Sequence, residues 1–589
     1  MLDSESQATG DPVGWPRAKI SVCCVSPPKT ATPDRLLLNM ATYNTPATPD
    51  PRSPDQIIDP PHSLGAIIRQ IGPGLIIAAN IVGSGELIMT TKTGAQAGIS
   101  LLWLILLGCV VKVFVQLEFG RFAISHGETT LTSLNRVPGP RILGINWIVA
   151  FWAIMISTST GQLGGILGGV SQSMSITFPI TGDYKAAVQV PGEQDIRDHA
   201  AWKNGDVPAS EKAARRLQRI EEELAELGDR GKILLDLSMA GKDLVDQQGN
   251  SLVDPKTVDD KIWAIVIGLA TAAILFVGRY TLIEVFSVAL VVAFTFITVG
   301  NVVALQQTTY AISGKEFLHG LSFQLPDTGD WKGALVTAFA TFGIIGVGAT
   351  ELISYPYWCL EKGYARSVGP RTSDESWVRR AKGWLFVMKC DAFTSMVIYT
   401  LATAAFYLMG VAVLHAEGRN PEGMRMVSTL ARSYVPIFGE YAKWLFLSGA
   451  FAVLYSTFLV ANAGNARMMA DFAGVVGWSS SDADSRTRRS VVRGISTFLP
   501  VLCIVLFLVI PKPTLLITIA GMTQCLMLPM LGFAALYFRF YETDKRLRPG
   551  RLWDAALFVS TAALLIASVW GVGTSIRELV TLIQKWLAS

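Results

Sequence analysis

The chain has 589 residues, of which half are hydrophobic and 16% carry a charge, whereas an ordinary soluble domain has about 25% charged residues. The mean hydropathy of +0.40 agrees with this deficit and predicts a polytopic membrane protein embedded in the lipid bilayer. The net charge of +4 is small for this length, so nucleic acid is not an expected partner. The cysteines form no metal-ligand spacing, and the five histidines are scattered. We therefore expect neither an enzyme nor a bound cofactor.

The N-terminal segment, residues 1–65, is rich in Pro, Thr, Ser and Asp. Such a composition cannot bury a core, and it predicts a disordered segment on the cytoplasmic side. The first apolar run begins near Leu64, which argues against a signal peptide at Met1. The sequence leaves open whether Met1 or Met40 is the true start.

A membrane-spanning helix needs about 20 apolar residues, and windows of that length predict about eleven spans in an all-α protein. In chain order, spans 1 to 11 cover 70–92, 100–121, 144–170, 261–278, 281–305, 332–356, 383–411, 441–465, 494–511, 514–538 and 553–573. Helices 1–3 thus occupy residues 66–181 and helices 4–11 occupy residues 259–589. A polar insert at 182–258 separates the two groups.

Basic residues predict the orientation of the chain. Lys and Arg gather after the even-numbered spans, in segments 121–141, 362–382, 467–493 and 539–551. Because cytoplasmic loops carry an excess of these residues, we expect a plasma-membrane protein with a cytoplasmic N-terminus.

The insert at 182–258 then lies outside the cell. Leu217, Ile220 and Leu224 step by three and four along 210–227, which is typical of an amphipathic helix. A helical cap is the simpler interpretation of the insert, and a site for an unknown protein partner is the alternative.

Two spans carry the same unusual pattern. Span 1 reads Gly83-Ser84-Gly85-Glu86 and span 6 reads Gly348-Ala349-Thr350-Glu351, and in each the glutamate precedes Leu-Ile. Each glycine weakens a helix by about 1 kcal/mol relative to alanine, so both helices are predicted to unwind here. Irregular backbone at membrane depth is tolerated where it lines a cavity. Interrupted helices in corresponding positions of two halves indicate a transporter binding site.

Carboxylates at this depth are costly and usually functional. We therefore predict that Glu86 and Glu351 bind a metal cation, helped by the backbone carbonyls of Gly83 and Gly348. Asn80 and Gln524 are further oxygen candidates, although helix packing explains an Asn or Gln equally well. The alternative for the glutamates is a structural role, each paired with a lysine such as Lys92, Lys112 or Lys389.

Several segments resemble the Nramp family of divalent metal transporters. Gly72-Pro73-Gly74 opens span 1 as in that family, and Gly348-Ala349-Thr350 is similar to the Gly-Ala-Thr that precedes its Met-Pro-His motif. Ser456-Thr457 in span 8 and Leu528-Pro529 in span 10 are also similar. The resemblance implies a LeuT/APC-like fold: an inverted 5+5 repeat of spans 1–5 and 6–10 with broken helices 1 and 6.

The departures from the family fall on its metal site. Gly83 and Glu86 stand where the family has the Asp and Asn of its Asp-Pro-Gly-Asn motif, and Leu352 stands at the family's methionine. Gly521 replaces a site glutamine, with Gln524 about one turn further on. Because carboxylates and carbonyls suit Mg²⁺ and Mn²⁺ whereas thioethers suit softer metals, we predict a hard divalent cation moved by alternating access. Proton coupling and the direction of flux stay open.

Two other functions are consistent with the sequence. Val82-Gly83-Ser84-Gly85 is similar to the motif with which amino-acid permeases of the wider superfamily bind a substrate carboxylate, although Glu86 would repel such a group. A sensor that keeps the fold and transports nothing is the second alternative.

Overall fold

The computed structural model describes residues 57–206, 211–277, 280–326, 331–439, 441–478 and 485–588. The described chain is almost entirely helical, and its one sheet pairs Arg141–Ile142 with Ile145–Asn146 in antiparallel register. Of the predicted disordered segment 1–65, residues up to 56 lie outside the described part. Beyond them, the Ile58 N–H donates to the Ser367 carbonyl at 3.2 Å, and the Ile58 carbonyl accepts from the Trp384 indole at 2.9 Å.

The helices follow the predicted spans closely. Before the insert they are Leu64–Gln70, Pro73–Ile81, Thr91–Ala97, Leu102–His126, Thr130–Leu134 and Trp147–Thr177, with a π-helical stretch at Val82–Thr90 and a 3-10 turn at Gly98–Leu101. After the insert, the long helices are Asp259–Val277, Tyr280–Leu305, Trp331–Ile344, Ala349–Lys362, Glu375–Met409, Tyr441–Val475, Ser485–Val509, Pro513–Tyr537 and Arg551–Ala588.

Shorter elements join these helices. They are Gly314–Gly320, Tyr364–Val368, Met426–Arg432 and Val435–Phe438, with π-helical ends at Gly410–His415 and Phe538–Glu542 and 3-10 turns at Gly423–Arg425 and Lys545–Leu547.

The chain is a multi-pass membrane protein. Among the described residues, eight helical stretches are long and apolar enough to cross a membrane, and nine if the bent pair Leu64–Gln70 and Pro73–Ile81 counts as one span. The helix Trp147–Thr177, rich in Gly, Ser and Thr, is not among the eight, although it coincides with predicted span 3. The total of eleven spans and the inverted repeat therefore stay predictions.

Spans 1 and 6 differ in how they are interrupted. Span 6 breaks: its first helix ends at Ile344 and its second begins at Ala349. Gly346 within the break has φ +55°, a left-handed conformation that favours glycine. The prediction that span 1 unwinds is wrong. Its backbone continues as a π-helix over Val82–Thr90.

The reason lies in what its glycine contacts. A Cβ atom on Gly83 would lie 2.1 Å from the Thr457 hydroxyl oxygen. The glycine therefore lets span 1 approach span 8 closely, which is a common use of small residues between membrane helices.

Backbone contact also fixes span 6 against span 10. A Cβ atom on Gly343 would lie 2.0 Å from the Gly521 carbonyl oxygen, and one on Gly521 would lie 2.4 Å from the Ala340 carbonyl oxygen. These two helices therefore pack main chain against main chain just before the break. The same contact brings Gln524, one turn after Gly521, to the start of the second half of span 6.

The insert forms a small helical unit with its own core. Its helices are Asp183–Ala187, Glu193–Lys203, Glu211–Glu226 and Asp229–Met239. The predicted helix at 210–227 corresponds to the third of these. Buried apolar side chains from all along the insert meet in one cluster: Val190, Ile196, Leu217, Ile220, Leu224, Leu234, Leu244 and Val253.

The two ends of the insert are held together by carboxylates. Asp259 accepts from the Thr181 and Gly182 N–H groups at 2.8 and 3.0 Å, and Asp183 accepts from the Val258 N–H at 2.6 Å. These hydrogen bonds therefore hold the first and last segments of the insert side by side.

Candidate functional site

The break in span 6 leaves polar backbone groups inside the bundle without intrahelical hydrogen bonds. A helix end leaves carbonyls without intrahelical partners, and a helix start leaves N–H groups without them. Glu351 is the third residue of the second helix, whose N-cap is Gly348. A Cβ atom on Gly348 would lie 2.5 Å from Glu351 Oε2, so the carboxylate folds back over the helix N-terminus. A negative charge is stabilised there by the helix dipole.

Asn80 joins Glu351 to span 1. Its side-chain Nδ2 donates a hydrogen bond of 2.8 Å to Glu351 Oε1. Asn80 is 8% exposed, and its Oδ1 has no hydrogen-bond partner among the described residues. A buried polar atom without a partner costs free energy, so this oxygen is a candidate ligand beside a carboxylate.

Gln524 brings span 10 to the same place. Its Oε1 accepts from the Thr350 N–H at 3.3 Å, and its Nε2 donates to Gln162 Oε1 at 2.8 Å. In span 3, Ser159 shares a hydrogen bond of 3.3 Å with the Thr350 hydroxyl. The structure thus brings Asn80, Gly348, Glu351 and Gln524 together. It adds Ser159 and Gln162, which sequence reasoning missed and which only the polar face of span 3 could have suggested.

Glu86 has a different set of partners. Its carboxylate is 0% exposed, and Oε1 accepts from the Thr403 hydroxyl at 2.7 Å and from the Gly346 N–H at 3.2 Å. Oε2 has no hydrogen-bond partner in the part of the chain that the structure describes. Glu86 and Glu351 therefore both belong to the surroundings of the break, but they share no hydrogen-bonding partner among the described residues.

The two predicted carbonyl ligands, those of Gly83 and Gly348, lie in different surroundings. Gly83 lies in the π-helical stretch against Thr457. The Gly348 carbonyl accepts the Leu352 N–H at 2.8 Å, so it already takes part in the helix. The oxygens that are concentrated at the break thus come mainly from side chains.

The three candidate lysines can now be told apart. Lys92 forms an ion pair with Glu422 at 2.6 Å, and the Lys389 ammonium lies 5.5 Å from the centre of a Trp553 ring. Lys112 is 0% exposed. Its ammonium donates to the carbonyls of Phe342 and Ile345, the latter at 2.8 Å, so this lysine is the one that reaches the break.

No group of three or more His, Cys, Asp or Glu side chains in the described residues has a geometry that could hold a metal. A cation at the break would therefore combine one or two carboxylates with amide oxygens and water. Mg²⁺ is usually bound in this way, through one or two carboxylates and several waters.

The fold and the polar break in a buried helix define a transporter-like membrane protein. The family model of natural resistance-associated macrophage protein-like (Nramp) proteins matches residues 250–574, more than half of the chain. The chain therefore belongs to the Nramp family.

One of the similar solved structures shows the same fold. A histidine variant of the Eremococcus coleocola manganese transporter is 12% identical, with a TM-score of 0.51, covering 90% of this chain and 94% of that one. Two glutamate variants of that transporter are 13% identical over the same shares, with TM-scores of 0.47. No curated protein matches the chain.

Proposed function

We propose that this protein is a secondary transporter of a hard divalent cation, with Mg²⁺ or Mn²⁺ as the favoured substrate. The observation that carries the proposal is the 2.8 Å contact between Asn80 and Glu351. It joins span 1 to the second half of span 6 and leaves the Asn80 Oδ1 without a partner among the described residues. Membership of the Nramp family of divalent metal transporters supports the same conclusion.

The proposed ligands are all oxygens. They are the Glu351 carboxylate, the Asn80 Oδ1 and the Gln524 Oε1, and rotation of the Asn80 amide would turn its oxygen toward the carboxylate-bound ion. Oxygen ligands suit Mg²⁺ and Mn²⁺, and Mg²⁺ keeps several waters while taking one or two carboxylates. Leu352, at the position of the family's methionine, offers no sulfur. The site therefore favours hard cations over Fe²⁺.

Glu86 stands outside this set of direct ligands. Its Oε1 is committed to Thr403 and Gly346, which leaves only Oε2 to offer to an ion. The Gly83 carbonyl belongs to the π-helical stretch. We keep both as members of the region around the break and assign Glu86 a separate role below.

A cavity of about 1340 Å³ supports an entrance on the side of the insert. Its walls include Lys92 and Gln96 at the end of span 1, Thr337 in span 6 and Thr518 in span 10, with the insert and Glu422 above them. We propose that this cavity is the external vestibule and that the cation moves from it to Asn80 and Glu351 by alternating access. The plasma membrane and a cytoplasmic N-terminus are part of the same proposal.

Uptake into proteoliposomes tests the proposal. Mg²⁺, Mn²⁺, Ca²⁺ and Fe²⁺ would be compared with a pH dye inside, for the parent, Glu351→Gln and Asn80→Ala. We expect Mg²⁺ or Mn²⁺ uptake that Glu351→Gln abolishes and Asn80→Ala weakens. Glu222→Gln, a matched change on an exposed residue of the insert, should have no effect. Equal uptake by parent and Glu351→Gln would exclude this site.

The amino-acid transporter alternative receives no support from span 1. A substrate carboxylate needs the free N–H groups of a helix start, whereas Gly83 and Gly85 lie within continuous helix. Amino-acid uptake in the same proteoliposomes is the direct check.

A further inference from the structure

One peptide bond in the break of span 6 is held at both ends by buried ionisable side chains. The carbonyl of Ile345 accepts from the Lys112 ammonium at 2.8 Å, and the N–H of the next residue, Gly346, donates to Glu86 Oε1 at 3.2 Å. Lys112 belongs to span 2 and Glu86 to span 1, and both side chains are 0% exposed. An amine and a carboxyl group from two different helices therefore hold the two polar groups of a single peptide unit.

We propose that Lys112 and Glu86 form a charge-balanced clamp that fixes the break in span 6, so that Glu86 is a positioning residue rather than a cation ligand. The clamp acts on the connection that leads directly into Gly348 and Glu351. This inference rests on the proposed function, because the group that it positions is the proposed ligand Glu351.

The surroundings of Lys112 fit this role. Its ammonium also donates to the Phe342 carbonyl and lies 4.8 Å from the centre of the Phe342 ring. These carbonyls belong to the C-terminal end of the first half of span 6, where the helix dipole favours a positive charge. The lysine thus supplies, from within the protein, the cation that such a helix end stabilises.

The partners of Glu86 point the same way. Thr403, from the helix Glu375–Met409, donates to the same Oε1 that accepts from Gly346. The partners that surround Glu351 come instead from spans 1, 3 and 10. The two carboxylates therefore form hydrogen bonds to different helices. Among the described residues, the unpartnered amide oxygen of Asn80 lies beside Glu351.

The free-energy cost of a buried charge explains why Lys112 and Glu86 occur as a pair. A single charge inside a membrane protein is costly, and removing one partner of a buried pair leaves the other uncompensated. The left-handed conformation of Gly346 turns the carbonyl before it and its own N–H in directions that the two charges can reach. Loss of either charge should therefore loosen the same peptide.

A double-mutant cycle tests the clamp. Lys112→Met, Glu86→Gln and the double variant would be compared with the parent for Mn²⁺ and Mg²⁺ uptake and for hydrogen exchange of the peptide 343–352. We expect each single change to lower the maximal rate by about tenfold or more and to speed exchange, because each leaves a buried charge unbalanced. The double variant should be less impaired than either single variant, since coupled sites are not additive.

Lys112→Gln provides a second route if Lys112→Met does not fold, because glutamine keeps a donor for the Ile345 carbonyl while removing the charge. Additive losses would overturn the clamp, because they would show that Lys112 and Glu86 are not coupled. A Glu86→Gln variant that raises the KM for the ion without changing exchange at 343–352 would also overturn it and would make Glu86 a ligand. Glu351→Gln should abolish ion uptake and leave exchange at 343–352 unchanged. If uptake survives Glu351→Gln while the cycle still shows coupling, the clamp stands and the proposed ion site fails.

Discussion

Lys92, near the C-terminal end of span 1, forms a 2.6 Å ion pair with Glu422, which lies in the loop that follows span 7. The lysine side chain is 7% exposed and the glutamate side chain is 55% exposed. Both residues line the large cavity beneath the insert. The pair therefore connects the helix Thr91–Ala97 to the loop that follows span 7, at the mouth of the proposed vestibule.

Breaking this pair should loosen the loop without unfolding the protein. The Lys92 ammonium holds the pKa of Glu422 below its ordinary value, so the pair is complete above that value and is lost only as pH falls through the lowered pKa. We expect Glu422→Gln to speed hydrogen exchange in 416–426 by up to about fivefold, because a half-exposed pair contributes about 1 kcal/mol or less.

The control for this change is Glu361→Gln, which removes a 2.5 Å pair with Arg467 elsewhere in the chain. It should leave exchange in 416–426 unchanged. Equal exchange in the parent and in Glu422→Gln would show that the pair does not hold the loop.

Gly83→Ala should destabilise the protein. Its Cβ would lie 2.1 Å from the Thr457 hydroxyl oxygen and 2.6 Å from the Thr457 Cβ, and overpacking of this kind costs about 1–3 kcal/mol. The measurement is the thermal unfolding midpoint in detergent. Thr457→Gly in the same chain removes both atoms and should restore part of the loss.

Gly300→Ala is the matched control for that experiment. Gly300 also lies within a helix, Tyr280–Leu305, but a Cβ there meets nothing within 4 Å. Its unfolding midpoint should equal or exceed that of the parent, since alanine favours a helix over glycine. If both variants behaved alike, close packing at Gly83 would not explain the glycine.

The insert should open more readily in acid because of His199. Both ring nitrogens of this buried side chain lack a hydrogen-bond partner among the described residues. Burial lowers the pKa of His199, while Glu221 raises it and Lys203 lowers it further. With the folded-state pKa lowered, the unfolded insert binds the proton more tightly. The stability is therefore complete above pH 6.5 and declines as the pH falls.

We expect exchange in the insert, corrected for the intrinsic pH dependence, to be several-fold faster at pH 5.5 than at pH 7.5. His199→Leu should remove most of this difference, whereas His319→Leu, at an exposed histidine outside the insert, should keep it. A pH effect that persists in His199→Leu would assign it to another group.

Local patterns made several features predictable. The apolar windows located the long helices, and the spacing of Leu217, Ile220 and Leu224 identified a helix whose apolar side is buried. The break in span 6 also followed from its glycines. These features depend on residues that are neighbours in sequence, so a single chain is enough to predict them.

Features that depend on contacts between helices were beyond the sequence. Glycine serves equally for an unwound segment and for a close approach, and only the position of Thr457 shows which applies to Gly83. For the same reason, the sequence offered three lysines as partners for the glutamates without a way to choose among them. Gln162 was missed because its partner, Gln524, lies in a distant span.

Arg425 connects the insert to the loop that follows span 7. Its guanidinium donates to the carbonyls of Val190 and Val253 and pairs with Asp254 at 2.8 Å, while its own backbone lies three residues from Glu422. A molecule that binds the insert therefore also restrains the loop whose Glu422 pairs with Lys92. An antibody fragment that binds the insert and is too large to enter the proposed vestibule would therefore act on the C-terminal end of span 1, and it should slow the proposed transport without competing with the ion.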